Sequence, residues 1–283
     1  MHKYILDTVL ADDYRDQISR ALGEFDSQTY SSYSVIKSAT KLDHNQLREL
    51  SQKLECDFNL IPGDFDASTV KLVISDMDST FINIECIDEI ADFAGKKAEV
   101  SAVTEAAMRG ELDFSQSLIK RVALLAGLSI DVLDTVYTER LQLNPGGEAM
   151  LLGLKNSQIR FALVSGGFTH FTSKLKQRYA LDYARANTLE KQDGKLTGKV
   201  EGQIVDGKVK AGYLESLCAE LEISPAQTVA MGDGANDLLM MDIAGLGVAY
   251  RAKPTVQQKA GCSINYGGLD GVLSLLEIEK PAS

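Results

Sequence analysis

Two aspartates, Asp76 and Asp78, stand one residue apart where the short apolar run Leu72–Ser75 ends, in KLVISDMDST. Side chains alternate along an extended chain, so carboxylates at i and i+2 share a side if the extended path continues. Adjacent carboxylates repel and are a poor way to build a core. They suit a site that holds a cation and runs acid–base chemistry, although the same pattern alone also fits a polar turn after a strand. A second acidic segment, GDGANDLLMM, carries Asp233, Asn236 and Asp237 between another apolar run and a helical pattern. One aspartate there fits a helix cap. Two, with an asparagine and with Gly232 and Gly234 permitting close backbone approach, exceed what a cap needs.

Four carboxylates at one place call for a cation, and oxygen ligands completed by water and a phosphate suit Mg2+. The histidines are His2, His44 and His170, which form no cluster, and the four cysteines form no CxxC pair, so a zinc site is disfavoured. In VSGGF, Ser165 ends a strand-like run, and Gly166 with its neighbour is expected to open a helix. Backbone amides and the hydroxyl there suit a phosphate; a plain strand-to-helix turn is the alternative. The segment is not GxSxG, so Ser165 is not read as a nucleophile. Lys210 precedes the helix-like stretch Tyr213–Leu221. It is either a solvated surface cation or a counter-charge for the carboxylates that touches a phosphate oxygen. There is no GxxxxGK[ST] loop and no Cys-x5-Arg loop. Phosphate handling then falls to aspartates and magnesium.

These segments need a scaffold that gathers them. Strand-like runs at Leu72–Ser75, Arg160–Val164, Thr228–Met231 and Gly245–Ala249 alternate with helical stretches. That alternation predicts a helix-covered parallel sheet, in which ligands bind beyond the carboxyl ends of the strands. DMDST, SGGF and GDGAND would meet at that rim. More than eighty residues separate the first two strands, so a helical insert is expected, running from Asp88 to about Leu143 and including Phe114–Leu125 and Asp131–Leu141. Asp193-Gly194 predicts a hairpin within a second insert, Tyr183–Val205. Residues 1–68 read as a separate α+β unit before the turn-rich PGDFDAS. Its strands are expected at Tyr4–Leu10, Tyr30–Ile36 and Phe58–Ile61, and its helices over Asp12–Phe25 and, capped by Asp43, over Gln46–Leu54.

Net charge bounds the partners. At −11 over 283 residues, a non-specific grip on nucleic acid is not expected. Apolar residues make up 45%, enough for a substantial core, yet no run approaches a membrane span. With scattered cysteines and no signal-peptide layout, the expected compartment is the cytoplasm.

The order DMDST, SGG, a lysine, then GDGAND resembles the haloacid dehalogenase-like phosphohydrolases. Within that superfamily, DSTFINIECIDEIA with Glu85, and AAMRGELDFSQSLIKRV with Met108, Phe114 and Arg121, look like the corresponding stretches of the phosphoserine phosphatases. Phe81 stands where those proteins more usually have leucine. The resemblance covers about residues 70–280. It implies a Rossmann-like α/β core over 69–283, a helical cap at about 86–145 and a small β-hairpin insert. The first 68 residues are similar only in placement to ferredoxin-like regulatory domains.

The resemblance also implies roles. Asp76 would be the nucleophile that forms an aspartyl-phosphate, and Asp78 the general acid, then base. Asp76, the Asp78 carbonyl and Asp233 would hold Mg2+, supported by Asp237. Lys210, Ser165, Gly166 and Asn236 would hold the phosphoryl group. Glu85 would meet the substrate ammonium and Arg121 its carboxylate, with Met108 and Phe114 lining the apolar side. From the residues alone, Glu85 and Arg121 fit surface charges, and Met108 and Phe114 fit cap core. The implied reaction is Mg2+-dependent hydrolysis of O-phosphoserine, the last step of serine biosynthesis, by a possible homodimer. A phosphotransferase, a phosphatase for another small ester and a phospho-acceptor module are the alternatives.

Overall fold

The computed structural model describes residues 1–281, and the side chain of Met108 lies outside what it describes. Two sheets organise the chain.

The first sheet is antiparallel, in the order β2-β3-β1-β4. It is built from β1 (His2–Leu6), β2 (Phe25–Thr29), β3 (Ser34–Ser38) and β4 (Phe58–Leu60). Helices α1 (Asp12–Leu22) and α2 (His44–Leu54) supply Ile18, Leu22, Leu50 and Leu54 to a core with Tyr4, Leu6, Ile36 and Phe58. The predicted Asp12–Phe25 helix ends at Leu22, because Gly23 takes φ 71° and turns the chain. The expected strand Tyr30–Ile36 begins only at Ser34, as β3: residues 30–33 are a turn, with Tyr30 and Tyr33 bonded across it, that links β2 to β3. β2 escaped notice because FDSQT is an edge strand with four exposed positions and no apolar alternation. Asp43 does cap α2, in a reciprocal capping box with Gln46.

The second sheet has seven strands in the order β11-β10-β9-β5-β6-β7-β8. β5 is Leu72–Ser75, β6 Arg160–Phe168, β7 Tyr183–Gln192, β8 Lys195–Glu201, β9 Thr228–Gly232, β10 Leu246–Tyr250 and β11 Cys262–Ile264. All neighbours are parallel except β7 and β8. β5 is fully buried. Leu72 and Ile74 face a layer with Leu214, Leu217 and Met240, while Val73 faces the opposite layer with Met150, Phe171 and Leu175. Burying side chains of that size is worth ~1.5–3 kcal/mol each, which pins the strand that carries Asp76.

Four helices between β5 and β6 form the insert: α3 (Cys86–Phe93), α4 (Lys97–Met108), α5 (Phe114–Ala123) and α6 (Asp131–Glu139). After them come α7 (Gly147–Asn156), α8 (Thr169–Tyr179), α9 (Gly207–Leu221), α10 (Leu238–Ile243), α11 (Pro254–Gln257) and α12 (Gly271–Leu275). The hairpin forms at Asp193-Gly194, both at positive φ, but β7 pairs with β6, so the hairpin extends the main sheet. β11 was not foreseen.

Candidate active site

Sheet register builds the site. Ser75 lies opposite Leu163 on one side and Met231 on the other. The residues just beyond these, Asp76, Ser165 and Asp233, therefore emerge together at the carboxyl rim of the central strands. The Asp76 amide bonds the Met231 carbonyl at 2.9 Å, which fixes where the chain leaves the sheet. Extended geometry does not continue past it. Residues 77–81 form a tight turn that begins at Met77, so Asp76 and Asp78 do not share a strand face.

Asp76 is buried. Its Oδ1 accepts the Met77 amide at 2.6 Å, and its Oδ2 lies 2.7 Å from the Lys210 ammonium. Lys210 reaches Asp237 Oδ1 at the same distance and has no exposed surface. Its predicted place ahead of a helix is corrected: Asp206 caps α9, and Lys210 lies within the first turn. Burial works against its charge, but Asp237 and Asp76 more than offset this and hold its proton more firmly than usual.

Ligand oxygens of Asp76, Asp233 and Asp237 all lie within 4.8 Å of one another. Three carboxylates face one ammonium, leaving two negative charges uncompensated. Burial and then the Asp76 charge push the Asp237 and Asp233 carboxyls up. A divalent cation with oxygen ligands answers both the charge and the donor set. The Asp78 carboxylate is not part of this trio. Burial, with the Asp76 charge adding, pushes it up to about 7, while the Cys86 amide donates to its Oδ1 at 3.3 Å. A carboxyl poised there can both give and take a proton near neutrality.

A cavity of about 390 Å3 opens over these groups. Asp76, Asp78, Glu85, Phe114, Arg121, Ser165, Gly166, Asp233 and Asn236 all line it. Lys210 and Asp237 sit behind that surface. Met108 ends α4, and its side chain lies outside the described residues. Gly166 and Gly167 are strand residues of β6, not the start of a helix as expected. The helix begins at Thr169, and the register shifts between Val164 and Phe168. Asn187 holds this irregular end by donating to the Gly166 carbonyl at 2.7 Å. Ser165 is fully buried, and its hydroxyl accepts the Gly167 amide at 2.8 Å. A β-carbon on Gly166 would meet the Phe114 ring at 2.5 Å, so the glycine is what admits the ring.

Glu85 receives the Ser79 hydroxyl at 2.7 Å. Its side chain is open to water, but only into a cavity walled by protein. That confinement first, and then the charges of Asp78, Asp233 and Asp76, push its carboxyl up to about 8. A ligand cation would relieve it. Arg121 lines the same cavity from α5.

Sequence reasoning missed several members. Ser79 and Thr80 lie inside DMDST, and Thr80 donates to Asp233 at 3.2 Å, tying the two acidic segments together. Asp88, Thr104 and Lys253 also line the cavity. Asp88 had a readable signal, since it follows Glu85 by three residues. Lys253 follows β10 at the same rim, where any strand end was a candidate.

Comparison with known proteins agrees in extent. The pattern of the haloacid dehalogenase-like hydrolases matches residues 73–242. The chain is 52% identical over 224 residues to a phosphoserine phosphatase of Polaromonas sp., covering 77% of this chain and 95% of that protein. A HAD family hydrolase from Salmonella enterica serovar Typhi superposes with a TM-score of 0.89 at 36% identity, covering 98% of this chain and 99% of the other. The unliganded structure of a probable phosphoserine phosphatase from Vibrio cholerae gives 0.84 at 39% identity, covering 98% and 86%.

Proposed function

This chain belongs to the haloacid dehalogenase-like hydrolases, and from that premise we propose that it hydrolyses O-phosphoserine to serine and phosphate. The observation that carries this reading is that one cavity is lined by the acidic rim of Asp76 and Asp233 and also by Glu85 and Arg121. The rim suits a phosphoryl group, and Glu85 and Arg121 suit an ammonium and a carboxylate.

Asp76 attacks phosphorus through a carboxylate oxygen, forming an aspartyl-phosphate as the seryl oxygen leaves. Asp78 protonates that oxygen and then takes a proton from the water that hydrolyses the acyl phosphate. Lys210 holds Asp76 in place and balances its charge. Ser165, the Gly166 amide and Asn236 hold the phosphoryl oxygens, and Phe114 closes the apolar side. Met108 is assigned to that side by resemblance alone. Asp76, Asp233 and the Asp78 carbonyl, supported by Asp237, would hold a metal ion, for which Mg2+ is our assignment. When bound, it supplies positive charge to the transferring phosphoryl group. Residues 1–68 are assigned as a unit separate from the catalytic 69–283, with the cap at about 86–145. Among the described residues no helix is long and apolar enough to cross a membrane. The cytoplasm and a homodimer complete the reading.

The test is phosphate release from O-phosphoserine, O-phosphothreonine and sugar phosphates, with Mg2+ and with EDTA. Phosphoserine should be preferred, and EDTA should abolish turnover. A preferred sugar phosphate would overturn the substrate and leave the reaction class. Transfer to an added alcohol in place of water would favour the phosphotransferase reading.

A further inference from the structure

Two buried polar atoms in the cavity wall have no partner: Oδ1 of Asp88 and Nε of Arg121. Both residues line the cavity, from different cap helices, α3 and α5. An unmade hydrogen bond on a buried donor or acceptor is costly, so two on one wall point to an arrangement that satisfies both.

The neighbouring charges say which arrangement. Burial raises the Asp88 carboxyl, and Arg121, followed by Lys97, draws it back down. Lys97 already reaches Asp92 at 3.8 Å, and Arg140 is engaged by Glu89 and Asp92. Of the cavity-lining residues on the cap helices, Arg121 is the one cation, and it forms no ion pair among the described residues. A guanidinium offers two Nη groups end-on and its Nε along one side. A fork that grips a carboxylate through both Nη atoms leaves Nε for the protein.

We propose that Asp88 is a positioning residue that pairs with Arg121 through Nε and fixes the plane in which the two Nη groups meet the substrate carboxylate. This rests on the reading of Arg121 as the carboxylate receptor. Asp88 then sets selectivity for phosphomonoesters that bear a carboxylate, without touching the reacting atoms.

The experiment compares the full chain with Asp88→Ala and Asp88→Asn, in Mg2+. Asp88→Ala should raise KM for O-phosphoserine about tenfold, the lower end of what a hydrogen bond to a charged group is worth. The inhibition constant for inorganic phosphate, which carries no carboxylate, should not move. Asp88→Asn, which keeps an acceptor oxygen, should recover part of the loss. In a double-mutant cycle with Arg121→Ala, the two losses in kcat/KM should not add. An unchanged KM, a parallel rise in the phosphate constant, or full additivity would overturn the proposal. If Arg121→Ala alone leaves KM unchanged, the reading of Arg121 fails first and takes this proposal with it.

Discussion

The carboxylate of Asp78 packs against Gly167: a β-carbon on that glycine would lie 2.5 Å from Oδ2. The two residues come from different strand ends, and the missing side chain is what lets the carboxylate lie flat on β6. Gly167→Ala should displace Asp78 while sparing the buried layers of the sheet. A shift of about 1 Å in a proton-transfer group costs about a hundredfold, so kcat should fall by that order with little change in thermal midpoint. Near-normal kcat would show that the chemistry does not need Asp78 where it lies.

Among the described residues, Lys210 is the cation that pairs with Asp76 and Asp237. Removing one partner of a buried ion pair leaves the other charge uncompensated, typically at ~3–5 kcal/mol. Lys210→Met should lose stability of that order in urea unfolding of metal-free protein. Added Mg2+ should narrow the difference. Equal stability of the two proteins without metal would contradict the charge count.

Metal-free protein should also grow less stable as pH rises. The Asp78 carboxyl moves from its ordinary 3.8 up to about 7 in the folded chain, and Asp233 and Asp237 are raised as well. Folded protein then binds more protons than unfolded protein between those values, so unfolding free energy falls across that window and levels off above it. Urea midpoints at pH 5.5 and pH 8 read the effect, and saturating Mg2+ should flatten it. A midpoint that rises with pH in metal-free protein would reverse the sign.

Asp57 docks the first sheet on the second. Its buried carboxylate accepts the amides of Asn265 and Gly267 at 2.8 Å and of Tyr266 at 3.2 Å. Asp57→Ala would strand these donors, at a cost of about 3 kcal/mol. Amide exchange at 265–267 should accelerate. Unchanged exchange there would mean that other contacts, such as Asn59 with Ser263, carry the docking.

The chemistry-bearing residues were legible because each follows a short apolar run, and apolar runs alternating with helical periods imply a parallel sheet with one functional rim. Asp76, Ser165 and Asp233 were readable for that reason, and the helical insert from the length of chain between β5 and β6. Glu85, Arg121, Met108 and Phe114 were legible only by resemblance, since charges and apolar residues on helices have ordinary explanations. The edge strand Phe25–Thr29 was not legible, because its polar side chains leave no alternation to read.

Residue types and their order along the chain thus determined the class of chemistry and the strand ends that carry it. Tertiary structure alone decided the division among the carboxylates. Asp76, Asp233 and Asp237 close into a trio, two of them on Lys210, while the turn that begins at Met77 leaves Asp78 against Gly167. The reason is that distances across a parallel sheet follow from register between strands far apart in sequence, and register is set by hydrogen bonds and packing that no single segment encodes.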